Sequence, residues 1–278
     1  MASDGREMVA IDYLAIGAVL LFGVPHGGLD GAVARRVGWP TTTIAWIIFH
    51  FAYVMIAAVV SLIWWVFPVP SLAIFLIISA IHFGVSDIRH IMQVGKNHWL
   101  PVLAHGGLVS IAIPGFQSDA VAPIFAVLVG EEGGTFLLQV IDFLLKPYIL
   151  IVCAYLAYSI LEKGWIHSAF NLIILLLLAY LLAPLLSFAL YFCLWHSRAH
   201  TIRIWQSISV AERRRCLQET FAYSIAAWVT AAGFFWYFQA NPDNILIQLT
   251  FIGLAALTVP HMVLVDFADS KLHRLMAP

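Results

Sequence analysis

Residues 171–200, NLIILLLLAYLLAPLLSFALYFCLWHSRAH, form a long apolar run that ends with His196 and His200. About 20 apolar residues are enough to cross a bilayer as a helix, so this stretch predicts a membrane span. The two histidines stand four residues apart, with Arg198 between them. Positions i and i+4 are neighbours on a helix surface, so both imidazoles can reach a single point. A metal ion is the obvious occupant of such a point.

The composition extends the membrane prediction to most of the chain. Of the 278 residues, 62% are hydrophobic and only 10% are charged, and the mean hydropathy is +0.93. Soluble domains carry about 25% charged residues and about 45–50% apolar ones. The chain is therefore predicted to be an integral membrane protein. Its net charge of −1 argues against nucleic acid as a partner, because binding nucleic acid needs a strong positive field.

Apolar stretches of spanning length recur along the sequence. They predict an all-α, polytopic helical bundle of about eight or nine transmembrane segments, in a single domain that covers residues 1–278. The candidate spans are 9–27, 42–67, 70–88, 99–115, 119–131, 136–162, 167–195, 217–239 and 244–266. The fifth is short and contains Pro123, so a full crossing, a re-entrant segment and fusion with its neighbour all stay open.

The basic residues favour nine crossings over eight. With nine crossings most of the 14 lysines and arginines fall on one side of the membrane, whereas eight crossings would divide them. Cytoplasmic loops carry the excess of basic residues. We therefore expect a multi-pass protein of the cell inner membrane with its C-terminus in the cytoplasm.

Four short sequences place histidines at the predicted cytoplasmic ends of odd-numbered spans. They are PHGGLDG with His26 and Asp30, HFGVSD with His82 and Asp87, WHSRAH with His196 and His200, and PHMVLVD with His261 and Asp266. A single histidine at a helix end is usually interfacial. Polar groups inside a membrane are costly and usually face the bundle interior or pair, so five imidazoles at one depth favour a shared site. The adjacent glycines and prolines predict locally irregular helices at His26, His82 and His261.

The residue types favour a metal at this site. Neutral imidazole suits zinc, copper, iron and nickel, and four histidines on ferrous iron would leave two coordination positions free for O₂. The aspartates then fit a supporting role, accepting a hydrogen bond from the far nitrogen of a ligating histidine, with solvation of a helix end as the alternative. Asp30 can share a helix face with His26, whereas Asp87 and Asp266 are expected to serve a histidine of a neighbouring helix.

The four sequences together resemble the Brp/Blh family, the membrane-integral β-carotene 15,15′-dioxygenases that cut β-carotene into two retinals. The resemblance covers nearly the whole chain, in order and in span placement. It implies O₂ as co-substrate, all-trans-retinal as product, and a microbial rhodopsin that takes the product. It also implies a non-haem Fe(2+) site with four ligands, His26, His82, His196 and His200, which the distribution of basic residues places towards the cytoplasmic side. Gly31 stands where the first motif of the family often has a histidine.

The role of His261 stays open at this point. It is expected to lie behind the ligands or beside the substrate, or else to displace one of the four, with His82 as the first candidate.

The surroundings of the site predict how a carotenoid could reach it. A carotenoid is too apolar to be carried in water, so an enzyme inside the bilayer can take it laterally. Aromatic rings can stack on the flat polyene, with core packing as the alternative role of each ring. The candidate tunnel residues are Phe22, Phe83, Tyr191, Phe192 and Trp195.

Two other functions compete with carotenoid cleavage. A proton- or metal-coupled transporter could use the histidines as a transport path, but it predicts acidic or histidine residues near mid-span with access from both sides. A di-iron desaturase or hydroxylase would need several histidine boxes, and the sequence contains one HxxxH box.

Overall fold

The computed structural model describes residues 8–89, 91, 98–238 and 241–276, with side chains up to Val265. The described residues form ten helices and no strand, which confirms the all-α prediction. The helices are α1 Ala10–Arg36, α2 Thr43–Val66, α3 Pro68–Ile88, α4 Trp99–Phe116, α5 Ser118–Val129, α6 Glu131–Leu161, α7 Lys163–Leu181, α8 184–207, α9 Val210–Tyr237 and α10 Pro242–Met276.

Seven of the described helices are long and apolar enough to cross a membrane, namely α1, α2, α3, α4, α6, α7 and the Pro242–Val265 part of α10. The number is close to the eight or nine predicted. The predicted span 167–195 is interrupted, because α7 ends at Leu181 and Pro184 starts the next helix. Proline lacks the amide donor needed inside a helix and is preferred in the first turn. The segment with Pro123 forms a separate helix of 12 residues, α5.

Contacts between the helices divide the chain into two compact units. The first unit contains the residues up to Ile16 and Pro68–His196, and the second contains Gly17–Phe67 and the residues from Ser197 onward. Both units are therefore built from segments that are far apart in sequence. The single domain over residues 1–278 stays a prediction.

The first unit is held together by close packing of α3 against α4. A Cβ atom at Gly84 would collide with the carbonyl of Val102, and one at Gly106 would collide with the carbonyl of Ala80. Glycine at these positions therefore lets the two backbones touch, as small residues do between helices in membranes. The unit has a buried core of Ile88, Ala104, Tyr155, Trp165, Ala169 and Leu172.

The second unit packs the first histidine motif against α9. A Cβ atom at Gly28 would lie 2.8 Å from the Thr220 Cα atom, so the glycine lets the α1 backbone approach α9 closely. A buried core follows directly after this contact, formed by Leu29, Ala32, Val33, Val37, Ile204, Ile208 and Cys216. The end of α1 is thereby fixed against α8 and α9.

Alanine at Gly84 or Gly106 should destabilise the first unit. Backbone carbonyls cannot move aside as a flexible side chain can, so α3 and α4 would have to separate, and overpacking typically costs about 1–3 kcal/mol. We expect a lower midpoint of thermal unfolding in detergent for both variants. Gly253→Ala is the matched control, since a Cβ atom there meets no heavy atom within 4 Å. A midpoint for Gly84→Ala equal to that of the control would show that the contact is not tight.

Candidate histidine site

The helices depart from α-helical geometry at two of the motif histidines. His26 lies in a 3₁₀ turn, Val24–Leu29, which follows a π-helical turn, Val19–Gly23. His196 lies in a second π-helical turn, Tyr191–Ser197. π-Helical turns are rare and frequently occur at functional sites. The predicted irregularity is confirmed at His26, whereas α3 and α10 stay α-helical through His82 and His261.

In the second unit three imidazoles form a triangle. The ring centroids of His26 and His200 lie 5.7 Å apart, those of His26 and His261 lie 5.2 Å apart, and those of His200 and His261 lie 5.1 Å apart. His200 and His261 are only 2% and 3% exposed, and His26 is half-buried. The residues come from α1, α8 and α10, so the fold brings together rings that are distant in sequence.

Asp30 and Tyr53 support the third ring of this triangle. His261 Nδ1 lies 2.7 Å from Asp30 Oδ1, and the Tyr53 hydroxyl donates to Asp30 Oδ2 at 2.9 Å. Asp30 is buried, so its negative charge needs such partners. A carboxylate beside Nδ1 holds a proton on that nitrogen, so the lone pair of the neutral ring lies on Nε2.

Among the described side chains, Asp30 pairs with His261 rather than with His26. The sequence expectation placed Asp30 and His26 on one helix face, but the structure places Asp30 against His261. His26 Nδ1 instead contacts the Gly23 carbonyl, and it lies 3.3 Å from Ser197 Oγ. The aspartate therefore faces a histidine that comes from another helix.

The first unit contains a pair of histidines, one of which lies beside an aspartate that is hydrogen-bonded to a tyrosine. The ring centroids of His82 and His196 lie 5.2 Å apart. Asp87 Oδ1 lies 3.7 Å from His196 Nδ1, and the Tyr191 hydroxyl donates to Asp87 Oδ2 at 2.8 Å. All four side chains are buried. Asp87 thus lies beside a histidine of another helix, the arrangement expected from its spacing.

His105 and Ser168 extend this polar group within the first unit. His105 Nδ1 lies 4.0 Å from Asp87 Oδ2, and His105 Nε2 lies 2.9 Å from Ser168 Oγ. Sequence analysis did not identify Ser168 or Tyr53 as part of either site. Apolar spans contain many serines and tyrosines, and nothing in the sequence distinguishes these two from the rest.

The predicted tunnel aromatics fall into two groups. Phe83, Tyr191 and Phe192 surround His196, with ring centroids 4.6, 6.4 and 6.0 Å from its imidazole. Phe22, by contrast, is 68% exposed, and Trp195 is half-buried. Asp266 lies outside the residues whose side chains the structure describes.

The ring separations in the second unit suit a shared metal ion. Metal–imidazole bonds are about 2.0–2.1 Å long, so three imidazoles on one ion should have centroids about 5 Å apart. Within the described part of the chain, however, no group of three or more His, Cys, Asp or Glu side chains has the geometry to hold a metal. The residue types are therefore those that bind iron, whereas the described side chains do not form a metal site.

Comparison with known proteins agrees with the residue pattern. Residues 17–269 match the model of the family described as beta-carotene 15,15′-dioxygenase. The chain is 34% identical over 267 residues to the beta-carotene 15,15′-dioxygenase of uncultured marine bacterium 66A03, and the match covers 94% of both chains. It is 24% identical over 289 residues to the probable beta-carotene 15,15′-dioxygenase Blh of Halobacterium salinarum, with 91% of this chain and 83% of the relative covered. No solved structure matches the chain. The chain belongs to the β-carotene 15,15′-dioxygenase family.

Proposed function

We propose that the protein cleaves the central 15,15′ double bond of β-carotene with O₂, gives two molecules of all-trans-retinal, and depends on a non-haem Fe(2+) ion. The family supports the substrate and the bond that is cut. The imidazoles that the fold brings together in each unit, His26 with His200 and His82 with His196, are the observation that supports a metal. Neutral imidazole is a suitable ligand for iron.

The histidines that would hold the ion are the four implied by the motifs. His26 and His200 belong to the triangle of the second unit, and His82 and His196 form the pair of the first. When bound, ferrous iron would supply the redox chemistry that lets O₂ react with a closed-shell polyene. Asp87 would favour the tautomer of His196 with its proton on Nδ1, so that Nε2 of the neutral ring could face the ion. Asp30 would do the same for His261.

The residues around His196 would serve the substrate. The Phe83, Tyr191 and Phe192 rings lie around an imidazole that is 1% exposed, so water is excluded there. Aromatic rings at these separations can stack on a flat polyene. The substrate would enter from the bilayer, because the spanning helices expose apolar side chains such as those of Ile47, Phe51 and Val54 on α2.

We also propose that the protein lies in the cell inner membrane with the metal towards the cytoplasm, and that a microbial rhodopsin takes the retinal. The distribution of basic residues supports the orientation. In the second unit Arg35 and Arg215 both pair with Glu219 at 2.8 Å, and both guanidinium groups lie 5.5 Å from the centre of the Trp46 ring. Tryptophan is enriched at the membrane interface, and Arg35 follows the first histidine motif by four residues.

Expression in cells that accumulate β-carotene tests the proposed activity. We expect the orange colour to fade and retinal to appear in the pigment extract, since cleavage at the central bond gives two identical aldehydes. Cells with an empty vector are the control. A histidine-lined transporter predicts unchanged carotene, and cleavage at any other bond predicts two aldehydes of unequal length. Either of those outcomes would count against the proposal.

A further inference from the structure

We propose that Trp228 on α9 is a positioning residue for His26. Its indole holds the irregular turns of α1 in the shape that presents the His26 imidazole. The proposal rests on the part that His26 has in the function proposed above, and it concerns residues of the second unit alone.

The first support is a backbone carbonyl of α1 that cannot be paired in the usual helical way. The Leu20 carbonyl would accept from the amide of residue 24 in an α-helix and from that of residue 25 in a π-helix. The Val24 amide donates to the Val19 carbonyl instead, and residue 25 is a proline, which has no amide hydrogen. An unpaired backbone group is costly within a membrane span. The Leu20 carbonyl therefore depends on a donor other than these two.

The Trp228 side chain supplies such a donor. Its Nε1 atom donates to the Leu20 carbonyl oxygen at 2.9 Å. Leu20 lies in the π-helical turn Val19–Gly23, and the 3₁₀ turn that contains His26 begins at the next residue, Val24. The hydrogen bond thus holds the backbone directly before the turn of His26, and the course of that backbone sets the direction of the imidazole.

The second support is that α9 also fixes α1 after His26. Gly28 packs on Thr220 so closely that a Cβ atom at Gly28 would lie 2.8 Å from the Thr220 Cα atom. Thr220 and Trp228 are eight residues apart on α9, which is about 12 Å along an α-helix. Their partners Leu20 and Gly28 are also eight residues apart, with His26 between them. The two contacts therefore hold the turn of His26 from both ends, one through a hydrogen bond and one through packing.

Trp236 provides a matched control for the loss of the indole N–H group. It lies eight residues after Trp228 on the same helix and is 76% exposed. Trp228→Phe and Trp236→Phe remove the same N–H group and keep an aromatic ring. Tryptophans that only anchor a helix at the membrane interface predict equal effects of the two substitutions, whereas positioning of His26 predicts an effect of Trp228→Phe alone.

Nuclear magnetic resonance of the full chain in detergent, with isotope-labelled histidine side chains, tests the position of the ring. The signal of His26 is identified by its loss in His26→Ala. We expect this signal to shift in Trp228→Phe and to stay unchanged in Trp236→Phe. The kcat of retinal formation should fall about 10-fold in Trp228→Phe, because a carbonyl is left without its donor. KM should stay unchanged, since the substrate contacts proposed above surround His196.

Pro25→Ala tests the reason for the hydrogen bond. It gives residue 25 an amide that can donate to the Leu20 carbonyl, so the effect of Trp228→Phe on kcat should be about threefold smaller in this background. If Trp228→Phe alone does not fold, the double variant should recover folded protein. An effect of equal size in both backgrounds, or no recovery of folding, would overturn the role of Trp228 as the donor.

The outcomes separate this proposal from the function on which it rests. If the unaltered chain forms no retinal, the proposed function fails, and the His26 signal still decides whether Trp228 holds the ring. If retinal forms, and both the His26 signal and the kcat of Trp228→Phe equal those of Trp236→Phe, only the role of Trp228 is overturned.

Discussion

Replacing His200 with alanine is expected to abolish retinal formation in cells that accumulate β-carotene, while the protein remains folded in the membrane. His200 is 2% exposed, and its ring lies 5.7 and 5.1 Å from the rings of His26 and His261. Removing one imidazole would take away a metal ligand and open the site to water. We expect retinal to fall at least about 100-fold, beyond the effect of losing a supporting group. Retinal is measured by chromatography of the pigment extract.

His50→Ala is the matched control for this loss. It removes a histidine from the same unit, but one whose nitrogens are engaged by Trp46 and Tyr223. The amount of protein in the membrane and its elution in detergent should be the same for both variants. Full activity of His200→Ala would refute the role of His200 as a ligand.

Much of the fold could be predicted from composition, but the ends of the helices could not. The high content of apolar residues predicted a helical chain that is embedded in a membrane. A hydropathy pattern does not show where one apolar helix stops and another starts, so the break between Leu181 and Pro184 was overlooked. Proline at position 184 was the available signal, since it begins a helix more readily than it continues one.

The candidate site was predicted in its residue types and only partly in its arrangement. The motifs identified the three histidines of the second unit and the two of the first, yet Asp30 faces His261 and not His26. The expectation relied on the spacing of a regular α-helix. Residues Val24–Leu29 form a 3₁₀ turn, which has about 3.0 residues per turn, so Asp30 is rotated away from the face of His26. Glycine and proline beside His26 signalled the irregular turn, but not the direction of the rotation.

Removal of the metal is expected to abolish the activity of the protein. We expect protein purified without oxygen to carry iron and to lose it, together with all retinal formation, when treated with a strong chelator. Adding Fe(2+) back should restore the activity. Zn(2+) has no redox chemistry, so it should occupy the site without restoring activity. Restoration of activity by Zn(2+) would contradict a redox role for the ion.

The number of iron ions per chain tests most directly whether histidines from distant segments hold a single ferrous ion. Elemental analysis of the purified chain, combined with its absorption spectrum, measures that ratio and detects any haem. We predict one iron per chain, with no haem absorption, and a ratio near zero in His200→Ala. Protein that forms retinal without bound iron, or that carries two irons per chain, would contradict a single ferrous ion held by these histidines.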